Sequence, residues 1–134
     1  MKLVHRDTSG RLPTSSFDLV DDAGHVLGFA QLSHRPSGNA DLPPEAGNNI
    51  YYEVSEAHRG RGHGKVLLRL VLIEVRRIGL PHVRLTVKDD NPTSRHIVEG
   101  AGGILVGEFM ARTGELYRLF EIALGPAGSA GGDR

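Results

Sequence analysis

The chain contains no cysteine. That excludes disulfides, thiolate metal centres and a cysteine nucleophile. It has no charge excess either, with 16 Lys and Arg against 16 Asp and Glu. A domain built to hold nucleic acid or an anionic membrane would show a basic surplus, so neither partner is expected. No apolar run is long enough to cross a bilayer, and the first residues do not read as a signal peptide. A cytoplasmic protein is the expectation. The histidines, His5, His25, His34, His58, His63, His82 and His96, show no metal spacing such as His-x-x-x-His. They read as surface or loop residues, and no metal is expected. No internal repeat is present. What remains is a 134-residue chain of ordinary composition, 39% hydrophobic and 24% charged, long enough for one domain with a real core.

The informative stretch runs from Asn49 to Lys65, NIYYEVSEAHRGRGHGK. Ile50, Tyr52 and Val54 alternate with Tyr51, Glu53 and Ser55, the period of a strand. From Val66 to Ile78 the apolar residues Leu67, Leu70, Val71, Val75 and Ile78, widened by Val66, Leu68 and Ile73, form the broad face of a helix packed on a sheet. Between them lie Gly60, Gly62 and Gly64. Glycines let backbone N–H groups point together at a ligand. At a helix N-terminus such a turn suits an anion, most often phosphate. Two familiar loops fail on spacing. A P-loop needs glycine at Arg59 and Ser or Thr at Val66; a Rossmann turn on Gly60 and Gly62 needs glycine at Lys65.

In chain order, Lys2 to His5 suits a short strand and Asp7 to Ser16 has loop chemistry. Phe17 to Val20 and Val26 to Leu32 flank the turn Asp21-Asp22-Ala23-Gly24-His25 as a hairpin. Ser33 to Asn48 reads as a long exposed loop. After the glycine turn, the helix should stop near Gly79, reinforced by Pro81. Val83 to Lys88 alternates as another strand. Asp90 or Asn91 could cap a short helix with Pro92 in its first turn, ended by Gly100, Gly102 and Gly103. Ile104 to Met110 and Leu116 to Leu124 form a closing hairpin, and residues 125–134 a frayed tail. The domain is therefore 1–124. The order predicts an α/β (α+β) fold: a mixed, mostly antiparallel central sheet, a βαβ core and helices on its faces.

What the loop does fit is Arg59-x-x-Gly62-x-Gly64. This resembles the Arg/Gln-x-x-Gly-x-Gly/Ala pyrophosphate loop of the GCN5-related N-acetyltransferase (GNAT) superfamily. The resemblance extends through VRLTVKDDNPTSRHIVEGAGG at 83–103, where Asn91 and Ser94 match the family's Asn-x-x-Ser/Ala and Gly102-Gly103 its helix end. It covers about Phe17 to Leu124.

The resemblance implies a site. Acetyl-CoA would be the cosubstrate, with no metal. Arg59, Gly60, Arg61, Gly62, His63 and Gly64 would hold its pyrophosphate. The strands at 50–55 and 83–88 would splay, with the pantetheine arm in the gap lined by Tyr52, Glu53, Val54, Asn91 and Ser94. The amide near Val54 would polarise the thioester carbonyl. A small-molecule or peptide primary amine would attack directly. Glu53 is the candidate base, its pKa expected to be raised by burial between strands; its other reading is a cross-strand ion pair. Ser94 is a candidate partner of the leaving thiolate.

Two departures matter. Where many members place a tyrosine acid, this chain has Val98. Ser94 and Tyr117 are the substitutes, Tyr117 otherwise being a core aromatic of an edge strand. Second, the family's helices between the first two strands have only Asp7–Ser16 in their place. The acceptor groove is then open, or walled by the 33–48 loop or a second subunit, or the start of the chain is shortened. The function expected is an N-acetyltransferase acting on a primary amine. The alternatives are a non-catalytic acyl-CoA-binding module and a nucleotide-binding protein using the same turn. Poorly covered sheet edges point to a homodimer.

Overall fold

A computed structural model describes residues 1–5, 14–33 and 49–124. The strands are β1 (Lys2–His5), β2 (Thr14–Val20), β3 (Val26–Ser33), β4 (Ile50–Val54), β5 (His82–Lys88), β6 (Ile104–Met110) and β7 (Leu116–Ala123). The helices are α1 (His63–Ile78) and α2 (Pro92–Gly100), with a 3-10 turn at Glu56–His58. The expected long loop (34–48), most of the first loop (6–13) and the tail (125–134) lie outside the described residues.

The strands form two antiparallel sheets, β1-β2-β3-β4 and β5-β7-β6. The fold is mixed α+β, as the element order implied. Between β4 and β5 there is no ladder. They meet at their beginnings through Asn49, which is 5% exposed. Its amide donates to the Arg84 carbonyl at 2.7 Å, and its Oδ1 accepts from the Arg84 amide at 3.0 Å. Its Nδ2 donates back to the Ser33 carbonyl at 3.3 Å. One buried side chain thus ties the two sheets, and past it the strands part.

The core is continuous across both sheets. It gathers Phe17, Leu19 and Leu32 from the first sheet, Val83, Leu85 and Phe120 from the second, and Leu67, Val71 and Val75 from α1. α1 packs on β1, β3 and β4, and α2 packs on α1. The apolar spacing of α1 explains the first contact; Ile73, expected to widen that face, is instead 50% exposed. Gly79 closes α1 at φ 86°, its amide reaching the Val75 and Arg76 carbonyls. That is the left-handed cap glycine adopts cheaply.

Two boundaries and one strand placement differ from expectation. Thr14–Ser16 extends β2 rather than the loop, because Thr14 and Ser16 pair with Ser33 and Gln31; tertiary pairing overrides turn-forming side chains. α1 begins at His63, not Val66, since Gly62 is already its cap. β7 lies between β5 and β6, so Tyr117 is not on an edge strand. Tyr117 stacks on Phe109 with ring centroids 5.4 Å apart.

Candidate functional site

The glycine turn opens α1 without a side-chain cap. Gly60 and Gly62 both have φ 80°. Gly62 is the cap residue, and the first intrahelical bond is Val66 N–H to the Gly62 carbonyl at 3.4 Å. The amides of His63, Gly64 and Lys65 precede that bond and find no carbonyl within the helix. With the helix dipole behind them, they suit an anion. Among the described residues, the Nδ1 of His63 is buried without a hydrogen-bond partner, as expected of a site that a ligand completes. Arg61 and Lys65 stand exposed beside it.

This turn forms one end of a cleft of about 630 Å³. The wall on one side is β4, with Tyr52, Glu53 and Val54; on the other it is α2, with Asn91, Thr93, Ser94 and Ile97. The floor depends on Gly64. A Cβ there would lie 3.1 Å from Ile97 Cδ1, 3.7 Å from Val54 Cγ2 and 3.9 Å from Tyr52 Cε2. The absence of a side chain lets α1, α2 and β4 converge.

α2 is set by its cap. Asn91 Oδ1 accepts the Ser94 amide at 3.1 Å, with Pro92 in the first turn; Asn91, not Asp90, is the cap. This fixes Ser94 across from β4, where its Oγ lies 3.0 Å from the Tyr52 hydroxyl. Burial is the main influence on the Tyr52 phenol and holds its pKa above 10.0, with the Ser94 hydrogen bond working against that. At the far end of α2, Gly103 must lack a Cβ, which would fall 2.6 Å from Val98 Cγ1.

On the opposite face of β4, Glu53 departs from expectation. Its side chain is 42% exposed rather than buried between strands. The strand period puts it on the solvent side with Tyr51, whose hydroxyl donates to it at 2.7 Å. That hydrogen bond is the first cause holding the Tyr51 phenol above 10.0. Arg59 approaches Glu53 at 3.4 Å, and its Nε donates to the Val54 carbonyl at 3.0 Å. Arg59 therefore braces the end of β4 and the glycine turn together.

Of the residues proposed from sequence, Tyr52, Glu53, Val54, Arg59, Gly60, Gly62, His63, Gly64, Asn91 and Ser94 all line this cleft; Arg61 is exposed and does not line it. Tyr117 does not line it. Val98 is fully buried. Sequence reasoning missed His58, Lys65, Thr93 and Ile97 as lining residues. Ile97 could have been found, being one helical turn beyond Ser94. The Tyr52–Ser94 contact joins residues 42 apart and left no local signal.

The model of the acetyltransferase (GNAT) family matches residues 3–102. Among solved structures, a mutant spermidine N-acetyltransferase from Vibrio cholerae superposes with a TM-score of 0.67 at 16% identity, covering 83% of this chain and 66% of that one. A protein from Bordetella pertussis, assigned as a GNAT-family acetyltransferase, gives 0.67 at 20% identity over 82% of this chain and 66% of that one. A protein assigned as a phosphinothricin N-acetyltransferase gives 0.67 at 20% identity, over 84% and 73%. At these identities the superpositions speak to the fold. The chain spans about two thirds of the first two structures. No curated protein sequence matches it.

Proposed function

The chain belongs to the acetyltransferase (GNAT) family, and from that premise we propose that it transfers an acetyl group from acetyl-CoA to a primary amine. The observation that carries the reading is the uncapped start of α1, opening on the cleft beside the divergence of β4 and β5. The diphosphate of acetyl-CoA would meet the amides at 62–65, with Arg59, Arg61 and His63 around it. The pantetheine arm would run along the free edge of β4, pairing with backbone groups as an added strand does. The Val54 amide would face the thioester oxygen, where negative charge develops as nitrogen attacks.

The amine must arrive without its extra proton. Glu53 faces solvent at the rim of the same cleft, so its carboxylate can take that proton directly or through one water. The amine nitrogen then bonds to the acyl carbon and the carbon–sulfur bond breaks. Ser94 sits on the leaving side. A thiol has a pKa of about 8.5, so its anion departs readily. The acceptor class follows the relatives named for spermidine and phosphinothricin, both acetylated on nitrogen. We assign self-association to β6, an edge strand whose Ile104, Val106 and Met110 are 66%, 44% and 62% exposed.

Val98 favours a second reading, a non-catalytic acyl-CoA-binding module, because α2 carries buried hydrocarbon where many members carry a phenol. Calorimetric titration with acetyl-CoA, competed by ATP, tests the binding half of the proposal. Binding that ATP displaces as well as CoA does would favour a nucleotide site instead. Thiol release with spermidine, phosphinothricin and amino-terminal peptides tests transfer.

A further inference from the structure

The cleft holds one hydroxyl pair, of which the steps above use only Ser94. Tyr52 reaches from β4 to the first turn of α2 and meets Ser94 Oγ at 3.0 Å. Both residues line the cleft. Tyr52 lies on the same face of β4 as Val54, since both rings and methyls approach the Gly64 position. Two residues of strand span about 6.6 Å, so the Tyr52 side chain starts one step from the amide assigned to the thioester. The other proton carriers are placed differently: His58 ends the 3-10 turn after β4, His63 and Lys65 lie in the first turn of α1, and Glu53 is on the opposite face of β4.

We propose that the Tyr52 hydroxyl is the proton donor to the departing sulfur, with Ser94 as its positioning residue. This rests on the acetyltransferase reading. A phenol, with a pKa of about 10, is a far stronger acid than an aliphatic hydroxyl, which favours Tyr52 over Ser94 as the source. Either hydroxyl can donate across this 3.0 Å contact; in the arrangement that serves transfer, Ser94 donates to the Tyr52 oxygen and the phenolic proton is free to point along the cleft. The amine nitrogen bonds to the acyl carbon and the carbonyl pair moves to oxygen. As the carbonyl re-forms, the carbon–sulfur pair leaves with sulfur and takes the phenolic proton, giving the thiol. The phenolate, held by Ser94, recovers a proton from solvent, and the proton shed by nitrogen passes to Glu53, directly or through one water. Burial keeps the phenol protonated at neutral pH, so it enters each turnover loaded.

The test uses the full chain, Tyr52→Phe and Ser94→Ala, acetyl-CoA, and the amine among spermidine, phosphinothricin and peptides that supports turnover. Acetyl-CoA affinity, kcat and the solvent deuterium isotope effect on kcat are measured for each. Tyr52→Phe is expected to keep acetyl-CoA affinity, to lose about a hundredfold in kcat, the low end for acid–base help, and to lose the isotope effect. Ser94→Ala should lose less and keep the isotope effect, because the phenol remains. Wild-type kcat in Tyr52→Phe, or a loss matched by lost affinity with the isotope effect intact, overturns the inference alone. Should Tyr52→Phe fail to fold, Ser94→Ala decides it: an unchanged kcat overturns the proposal. A wild type that binds acetyl-CoA yet releases no thiol with any amine overturns the acetyltransferase reading, and the inference with it.

Discussion

Gly62 is where conformation and binding can be separated. It sits at φ 80° and ψ 7°, and a Cβ added there would meet nothing within 4 Å. Crowding is therefore not the issue. A left-handed conformation costs a residue with a side chain about 1–2 kcal/mol. Gly62→Ala can stay in place and lose that much stability. Alternatively its exposed turn rotates to negative φ, and the amides leave the cleft. In the second case the ligand must restore the turn, and the cost moves into affinity, a factor of about 5–30. Gly79→Ala is the control: it has φ 86° and the same open surroundings, at the other end of α1. There the cap hydrogen bonds hold the conformation, so only stability should fall, by roughly 3–6 °C in Tm per kcal/mol. Calorimetry with acetyl-CoA and thermal denaturation, run on both variants, give the comparison. If Gly62→Ala binds as wild type while melting as Gly79→Ala does, the turn does not cradle the diphosphate.

Glu53→Gln should lower kcat on the order of a hundredfold and leave acetyl-CoA affinity intact; wild-type rates would reduce Glu53 to a partner of Tyr51 and Arg59. Gly28→Ala should destabilise the domain by about 1–3 kcal/mol through overpacking, because its Cβ would fall 2.5 Å from the Glu53 carbonyl oxygen; an unshifted denaturant midpoint would refute that. Asp21 is held below 3.8, chiefly by the backbone N–H of His25, with the His25 ring and the Ala23 amide adding to it. Its folded pKa is depressed, so its stabilisation of the β2–β3 turn is whole above 3.8 and disappears as pH falls through the lower folded value. The stability gap between wild type and Asp21→Ala should therefore close in strong acid, as melts across pH would show.

Most of the fold was legible because its elements obey local rules. Val83, Leu85 and Val87 alternate and are all buried. Gly79 ends α1 and Asn91 caps α2 for reasons readable in a few residues. The glycine turn was legible in the same way, by spacing. What was not legible depends on contacts between distant segments. Thr14–Ser16 became strand only because β3 lies alongside. Asn49 only heads the strand stretch in the sequence, yet its side chain ties both sheets at Ser33 and Arg84. Glu53 was rightly placed opposite Tyr52, but strand period alone cannot say which face water reaches. The pairing of Tyr52 with Ser94 needed the helix cap, the Gly64 contact and the parting of β4 from β5 together.

The most direct measurement mixes the protein, acetyl-CoA and each candidate amine, follows free thiol, and weighs the amine product. The account predicts thiol release that depends on the amine, with product heavier by one acetyl group. Acetyl-CoA that binds in the cleft while no amine is acetylated would contradict it and leave a binding module.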